Sequence, residues 1–118
     1  MRDDERTAYH LVPEAWFREQ AVEAAYLSEA FAQDGFIHLT HGIEPVLAAG
    51  NRYYRDDARP YLLLTVNLER VTAEIRYDDP ARQFPHIYGA IDRALIITVQ
   101  RVTRGDDGTF LSVTEQPT

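Results

Sequence analysis

The chain has 118 residues, 45% of them apolar, and a net charge of -7. That length fits one domain with one core. The apolar share excludes disorder throughout, and the negative charge opposes a nucleic-acid backbone as partner. There is no cysteine, so neither a disulfide framework nor a thiolate metal site is available. No apolar run is long enough to span a bilayer. Met1-Arg2-Asp3-Asp4-Glu5-Arg6 lacks the apolar stretch of a signal peptide, and a cytoplasmic location is the simplest expectation. All twelve basic residues are arginine, which removes Schiff-base and phosphate-loop lysines. The nearest approach to a basic patch, Arg52, Arg55 and Arg59, is interrupted by Asp56 and Asp57.

Residues 1–6 read as a charged end and Thr7–Val12 as the first strand. Pro13 fits the first turn of a helix, where its missing N–H costs nothing. The helix is expected to run to about Ala25, anchored by Trp16. Ser28, Ala30 and Phe31 suggest a short further turn, and Asp34-Gly35 ends it. Phe36–Thr40 reads as a second strand, with Ile37 and Leu39 on one face and Phe36, His38 and Thr40 on the other. His41-Gly42 breaks it, and Ile43–Tyr54 reads as a helix with Pro45 in its first turn. Gly50 inside that helix costs roughly 1 kcal/mol relative to alanine, which implies close packing there.

Arg55–Pro60 is a charged loop. Tyr61–Val66 is the most apolar run and reads as a central strand. Leu68–Val71 fits one helical turn, Glu74–Tyr77 a short strand, and Asp78–Gln83 a loop. His86–Tyr88 is a short extended piece ended by Gly89. Leu95–Val102 is the last clear strand, Arg104–Gly108 a hairpin-like turn, and the tail beyond Val113 is polar. Many strands with two helices early in the chain favour an α+β fold.

The chemistry is concentrated in three histidine motifs: Tyr9-His10-Leu11-Val12, Gly35-Phe36-Ile37-His38-Leu39-Thr40 and Phe84-Pro85-His86-Ile87-Tyr88-Gly89. An imidazole buried without a partner costs free energy. One such histidine is accounted for by a bond to a backbone carbonyl; three point to a shared polar cleft. His86 and Tyr88 are two apart and point to one side of an extended segment, with Pro85 and Gly89 fixing the backbone. Arg52 either holds an anion at the cleft or pairs with Asp56 at i,i+4. Of the adjacent Tyr53 and Tyr54, one is expected to pack inward and one to reach the rim, with core packing of both as the simpler account. Asp78-Asp79 reads as a turn. A zinc site from His10, His38 and His86 would leave an open position, but their spacings are long and no short-range pair is present. Dinucleotide, phosphate-loop, zinc-protease and nucleophile-elbow motifs are absent.

These motifs, with Trp16 and Asn51-Arg52-Tyr53-Tyr54 between them, occur in the order typical of the domain of unknown function 952 family, which the chain resembles from about Thr7 to Phe110. The resemblance implies an ADP-ribosyltransferase-like fold, a split and mostly antiparallel sheet gripping NAD in a central cleft. It puts His10 where a first-strand histidine contacts the adenosine ribose, and Gly35–Thr40 beneath the nicotinamide end. Phe36–Thr40 is also similar to the H-V-H-L-A strand of RNA 2'-phosphotransferases, which share the fold and use NAD as phosphate acceptor, with His38 at the second histidine. There are departures. Leu39-Thr40 stands where the family often has Cys-Ser, although Thr40 keeps a hydroxyl. The late glutamate of the transferases is missing from His86–Gly89, Glu115 in the tail is a poor substitute, and the 2'-phosphotransferase arginine set is incomplete. Ordinary ADP-ribosyl transfer is therefore not implied.

The resulting expectation is one α+β domain over 1–118, ordered over about 7–113, with an ADP-ribosyltransferase-like split sheet. Its cleft would bind or process NAD or another nucleotide-like small molecule. His10, His38 and Tyr88 are the catalytic candidates, and Thr40, Arg52, Tyr53, His86 and Gly89 the binding candidates. No metal, nucleic acid or membrane partner is expected. The alternatives are a non-enzymatic module sensing a nucleotide or small anion, and a metal-dependent hydrolase.

Overall fold

The computed structural model describes residues 5–114; Glu115 lies outside them. Strands β1 (Thr7–Pro13), β3 (Tyr61–Asn67), β6 (Ile96–Arg104) and β7 (Phe110–Val113) form a four-stranded sheet in the order β1-β3-β6-β7. Strands β2 (Ile37–His38), β4 (Ile75–Tyr77) and β5 (Pro85–Ile87) form a second sheet in the order β2-β5-β4. Every pairing is antiparallel. The two sheets touch where Tyr9 and Thr40 exchange both backbone hydrogen bonds, each 2.8 Å. Helices α1 (Glu14–Glu19), α2 (Phe31–Asp34) and α3 (Ile43–Tyr53) all precede β3. The expected α+β class, with early helices and an antiparallel sheet in two parts, is what the chain forms.

β3 is buried on both faces, which is why its sequence is continuously apolar. Leu62, Leu64 and Val66 point into a core with Ala8, Val12, Tyr26, Ile37, Leu39 and Ile87. Leu63 and Tyr61 point the other way, to Leu11, Val46 and Phe110. α3 closes this second face. A Cβ on Gly50 would sit 2.8 Å from the Phe110 ring, so the glycine trades helix propensity for approach, as expected.

Three expectations need correction. The first helix stops at Glu19 instead of Ala25. Residues 21–25 have good helix propensity, but Gln20 turns extended and its side chain grips both backbone groups of Leu27, while the Trp16 indole N–H also donates to the Leu27 carbonyl. Tyr26 then pairs with Ile91 in both directions at 2.7 and 2.9 Å. Tertiary bonds outweigh local preference here. Second, β2 ends at His38: Leu39 N–H still donates to the Pro85 carbonyl of β5 at 3.0 Å, but Thr40 bonds β1 instead. Third, Phe110–Val113 is a strand, paired with β6 through a bulge at Thr103/Arg104; at four residues, with Leu111 and Ser112 exposed, it is too short for a periodicity to show in the sequence.

Candidate functional site

A cavity of about 1310 Å³ opens between β1, α3, the 26–34 segment and the β2–β5 edge. Its wall includes His10, His38, Thr40, Arg52, Tyr53 and His86. Tyr88 and Gly89 do not line it. Tyr88 instead lies 5.1 Å from Phe36 by ring centroids, under the Arg76 guanidinium at 4.8 Å. Gly89 packs against Ala73, which a Cβ would meet at 2.8 Å.

His10 faces the core because it shares a face of β1 with Ala8 and Val12, and it is only 5% exposed. Its Nδ1–H donates to the His38 carbonyl at 2.7 Å. A carbonyl can only accept, so Nε2 is the unprotonated nitrogen and accepts from the Tyr26 hydroxyl at 2.6 Å. Burial lowers the His10 pKa to about 4, and burial raises that of Tyr26. Both groups are therefore neutral near pH 7. With both ring nitrogens used inside the protein, His10 fixes the position of β2 and has no nitrogen left for a ribose. His41 repeats the pattern: Nδ1–H donates to the Thr7 carbonyl at 2.8 Å, and Nε2 accepts from the Tyr77 hydroxyl at 2.6 Å.

His38 and His86 are different. They are cross-strand partners on β2 and β5, and their ring centroids are 5.1 Å apart. His38 Nε2–H donates to Asp34 at 2.9 Å, and His86 Nδ1–H to Asp78 at 3.2 Å. The other nitrogen of each ring bonds no group among the described residues. Phe36 stacks on His86 with centroids 4.2 Å apart and 15° between planes. Burial, then the neighbouring charge of His38, lower the His86 pKa, against the opposing pull of Asp78. The pair is thus an exposed imidazole beside a partly buried one, each backed by a carboxylate.

The loop that brings Asp78 is held firmly. Asp79 accepts from the Gln83 and Phe84 N–H groups at 2.7 and 3.1 Å. Arg82 adopts a left-handed conformation at φ 53, unusual for a residue with a Cβ. It is secured by Glu5 at 2.8 Å and by the Tyr77 ring at 4.0 Å. Gln83 also donates to the His41 carbonyl.

Thr40 is buried at the cavity wall. Arg52 is exposed, pairs with no carboxylate among the described residues, and lies over Tyr53 at 6.0 Å; the i,i+4 pair with Asp56 does not form. Tyr53 is 69% exposed at the rim, whereas Tyr54 stacks on Tyr61 with centroids 5.4 Å apart. Sequence reasoning missed four contributors: Tyr26, Ser28, Asp34 and Asp78. Asp34 had a usable signal, standing four residues before His38. Tyr26 had none, because it follows a run of helix-forming residues. No group of three histidines and carboxylates among the described residues is arranged to hold a metal ion, and His10 is already saturated.

None of the curated proteins matches this chain. Among solved structures, it is similar to the X-ray crystal structure of protein CC0527 from Caulobacter crescentus, at 21% identity, a TM-score of 0.73, and coverage of 92% of this chain and 93% of that one. A double-mutant form of the same protein matches equally. That likeness is one of fold. The model of a family described as protein of unknown function, DUF952, matches residues 11–99; the chain belongs to that family.

Proposed function

We propose that this DUF952 protein is a cytoplasmic protein that binds a nucleotide-like small molecule, NAD or an ADP-ribose derivative, in the cleft, and that His38 and His86 move protons on it. The observation that carries the reading is the facing pair, 5.1 Å apart, each with one nitrogen on a carboxylate and one unbonded among the described residues. A histidine near its neutral-pH transition suits proton transfer. His86, whose pKa is lowered by burial, stands unprotonated and takes the part of the base, and His38 beside it returns the proton. His10 is a positioning residue. Arg52 at the mouth holds a phosphate. The cavity has room for a dinucleotide, since ordinary ligand pockets span ~300–1,000 Å³. Two antiparallel sheets meeting at the Tyr9–Thr40 bridge support the ADP-ribosyltransferase-like assignment of the fold.

The test is calorimetry with NAD, ADP-ribose and ribose 5-phosphate, followed by assays of NAD turnover. Binding that is weakened in Arg52→Gln, with turnover abolished in His86→Gln, is the expected result. Binding without turnover would favour a sensing module, which the missing late glutamate already suggests. Absence of heat and of a melting shift at millimolar ligand would discard the nucleotide reading.

A further inference from the structure

We infer that Tyr53 and Phe84 are the specificity-determining contacts of this cleft and take the flat heterocyclic ring of the ligand by stacking, while its phosphate lies at Arg52. The inference rests on the nucleotide reading above and adds what holds the base. Tyr53 and Phe84 stand 69% and 40% exposed, and both line the cavity. Every other aromatic side chain among the described residues is buried or half-buried. The large aliphatic residues that stand exposed, Val22, Leu27, Ile97 and Leu111, do not line the cavity. Single exposed hydrophobic residues are ordinary on a protein surface. Exposed rings that all border one ligand-sized cavity are not, and they point to a ligand with an aromatic face.

The backbones of the two residues are held and their rings are free. Phe84 N–H donates to the Asp79 carboxylate at 3.1 Å. The next residue, Pro85, pairs with Tyr77 of β4, and its carbonyl accepts from Leu39 N–H at 3.0 Å. The Phe84 ring meets no other aromatic ring and no cation among the described residues. Tyr53 ends α3, whose last turn is closed by Tyr54 N–H donating to the Gly50 carbonyl at 2.8 Å. Its ring has only loose neighbours: the Tyr54 centroid is 6.4 Å away, and the Arg52 guanidinium at 6.0 Å stands at the outer limit of a cation–π contact. Its hydroxyl bonds no group among the described residues. A stiff aromatic side chain on a fixed backbone loses little entropy when a ligand orders it, and every base offers a π face to stack on it. Arg52 precedes Tyr53 and pairs with no carboxylate among the described residues. One sugar joins base and phosphate in a mononucleotide, so a base against Tyr53 leaves its phosphate beside this guanidinium.

The experiment compares wild type, Tyr53→Ala, Phe84→Ala and Tyr53→Phe by calorimetry with adenosine, AMP and ribose 5-phosphate. Each alanine variant should bind adenosine and AMP about tenfold more weakly. Ribose 5-phosphate has no aromatic face and should bind both variants as it binds wild type. Tyr53→Phe keeps the ring and should match wild type with all three ligands. Phe84→Leu, which keeps the apolar bulk, should show the same selective loss as Phe84→Ala, so that altered packing is not mistaken for lost stacking. Wild-type affinity for adenosine in either alanine variant would overturn the inference and leave the nucleotide reading standing. So would an equal loss for ribose 5-phosphate, which would mean a general disturbance of the cleft. If wild type binds none of the three, both readings fall together.

Discussion

His10 and His41 have each of their nitrogens bonded within the protein, to a strand carbonyl on one side and a tyrosine hydroxyl on the other. His38 and His86 lie side by side at the cleft, each leaning on a carboxylate with its second nitrogen unbonded among the described residues. The four residues are chemically identical, and the environment alone divides them. A carbonyl fixes the tautomer in both members of the first pair, and burial suppresses the charge on His10; Asp78 favours the charge on His86 and leaves its other nitrogen for chemistry. The first pair joins strands, and the second is available to a ligand.

The largest expected effect tests the structural pair. His10→Ala removes the partner of the Tyr26 hydroxyl and of the His38 carbonyl, each buried group costing ~1–3 kcal/mol when orphaned. Urea unfolding should show a loss of about 3 kcal/mol. His41→Ala, at a less buried site, should cost only about 1 kcal/mol. Equal losses would erase the distinction in burial between them.

A second measurement concerns pH. The folded-state pKa of His10 is about 4 against an ordinary 6.5, so the unfolded chain takes up the proton first. Stability from this group is full above pH ~6.5, falls as pH drops toward ~4, and the total lost is up to about 3 kcal/mol. The lowered His86 adds to the same slope. Urea midpoints across that window should fall with acid in wild type and distinctly less in His10→Ala. Parallel slopes would mean that His10 is not held neutral.

The smallest effects belong to the cleft pair and are better read by NMR titration than by stability. His38→Ala removes a like charge and should raise the His86 pKa. Asp78→Asn removes a favourable partner and should lower it. Asp78 is 66% exposed, so its loss should change stability by no more than ~0.5 kcal/mol. If neither substitution moves the His86 titration, the two rings do not act as a coupled pair.

Much of this was legible in the sequence. The alternation Ile37/Leu39 against Phe36/His38 placed the second histidine on the open face. The apolar run at Tyr61–Val66 located the central strand, Gly50 marked a close approach, and the order of motifs gave the family. Convergence of His10, His38 and His86 followed from the cost of burying three imidazoles separately. Their division of labour did not, because it depends on a carbonyl and on two tyrosines, Tyr26 and Tyr77, that no local pattern ties to them. The segment from Gln20 to Ala30 was the least legible: its propensity is helical, and only long-range bonds from Trp16, Gln20 and Ile91 draw it out to deliver Tyr26 and Ser28 to the cleft. By itself the sequence determined the central strands, the starts of the early helices and the polar groups that had to meet, since periodicity and desolvation act locally along the chain. The tertiary structure alone decided which of those groups were used up in the fold and which were left for a ligand, since hydrogen-bond partners 16 to 36 residues away are chosen only when the sheets close.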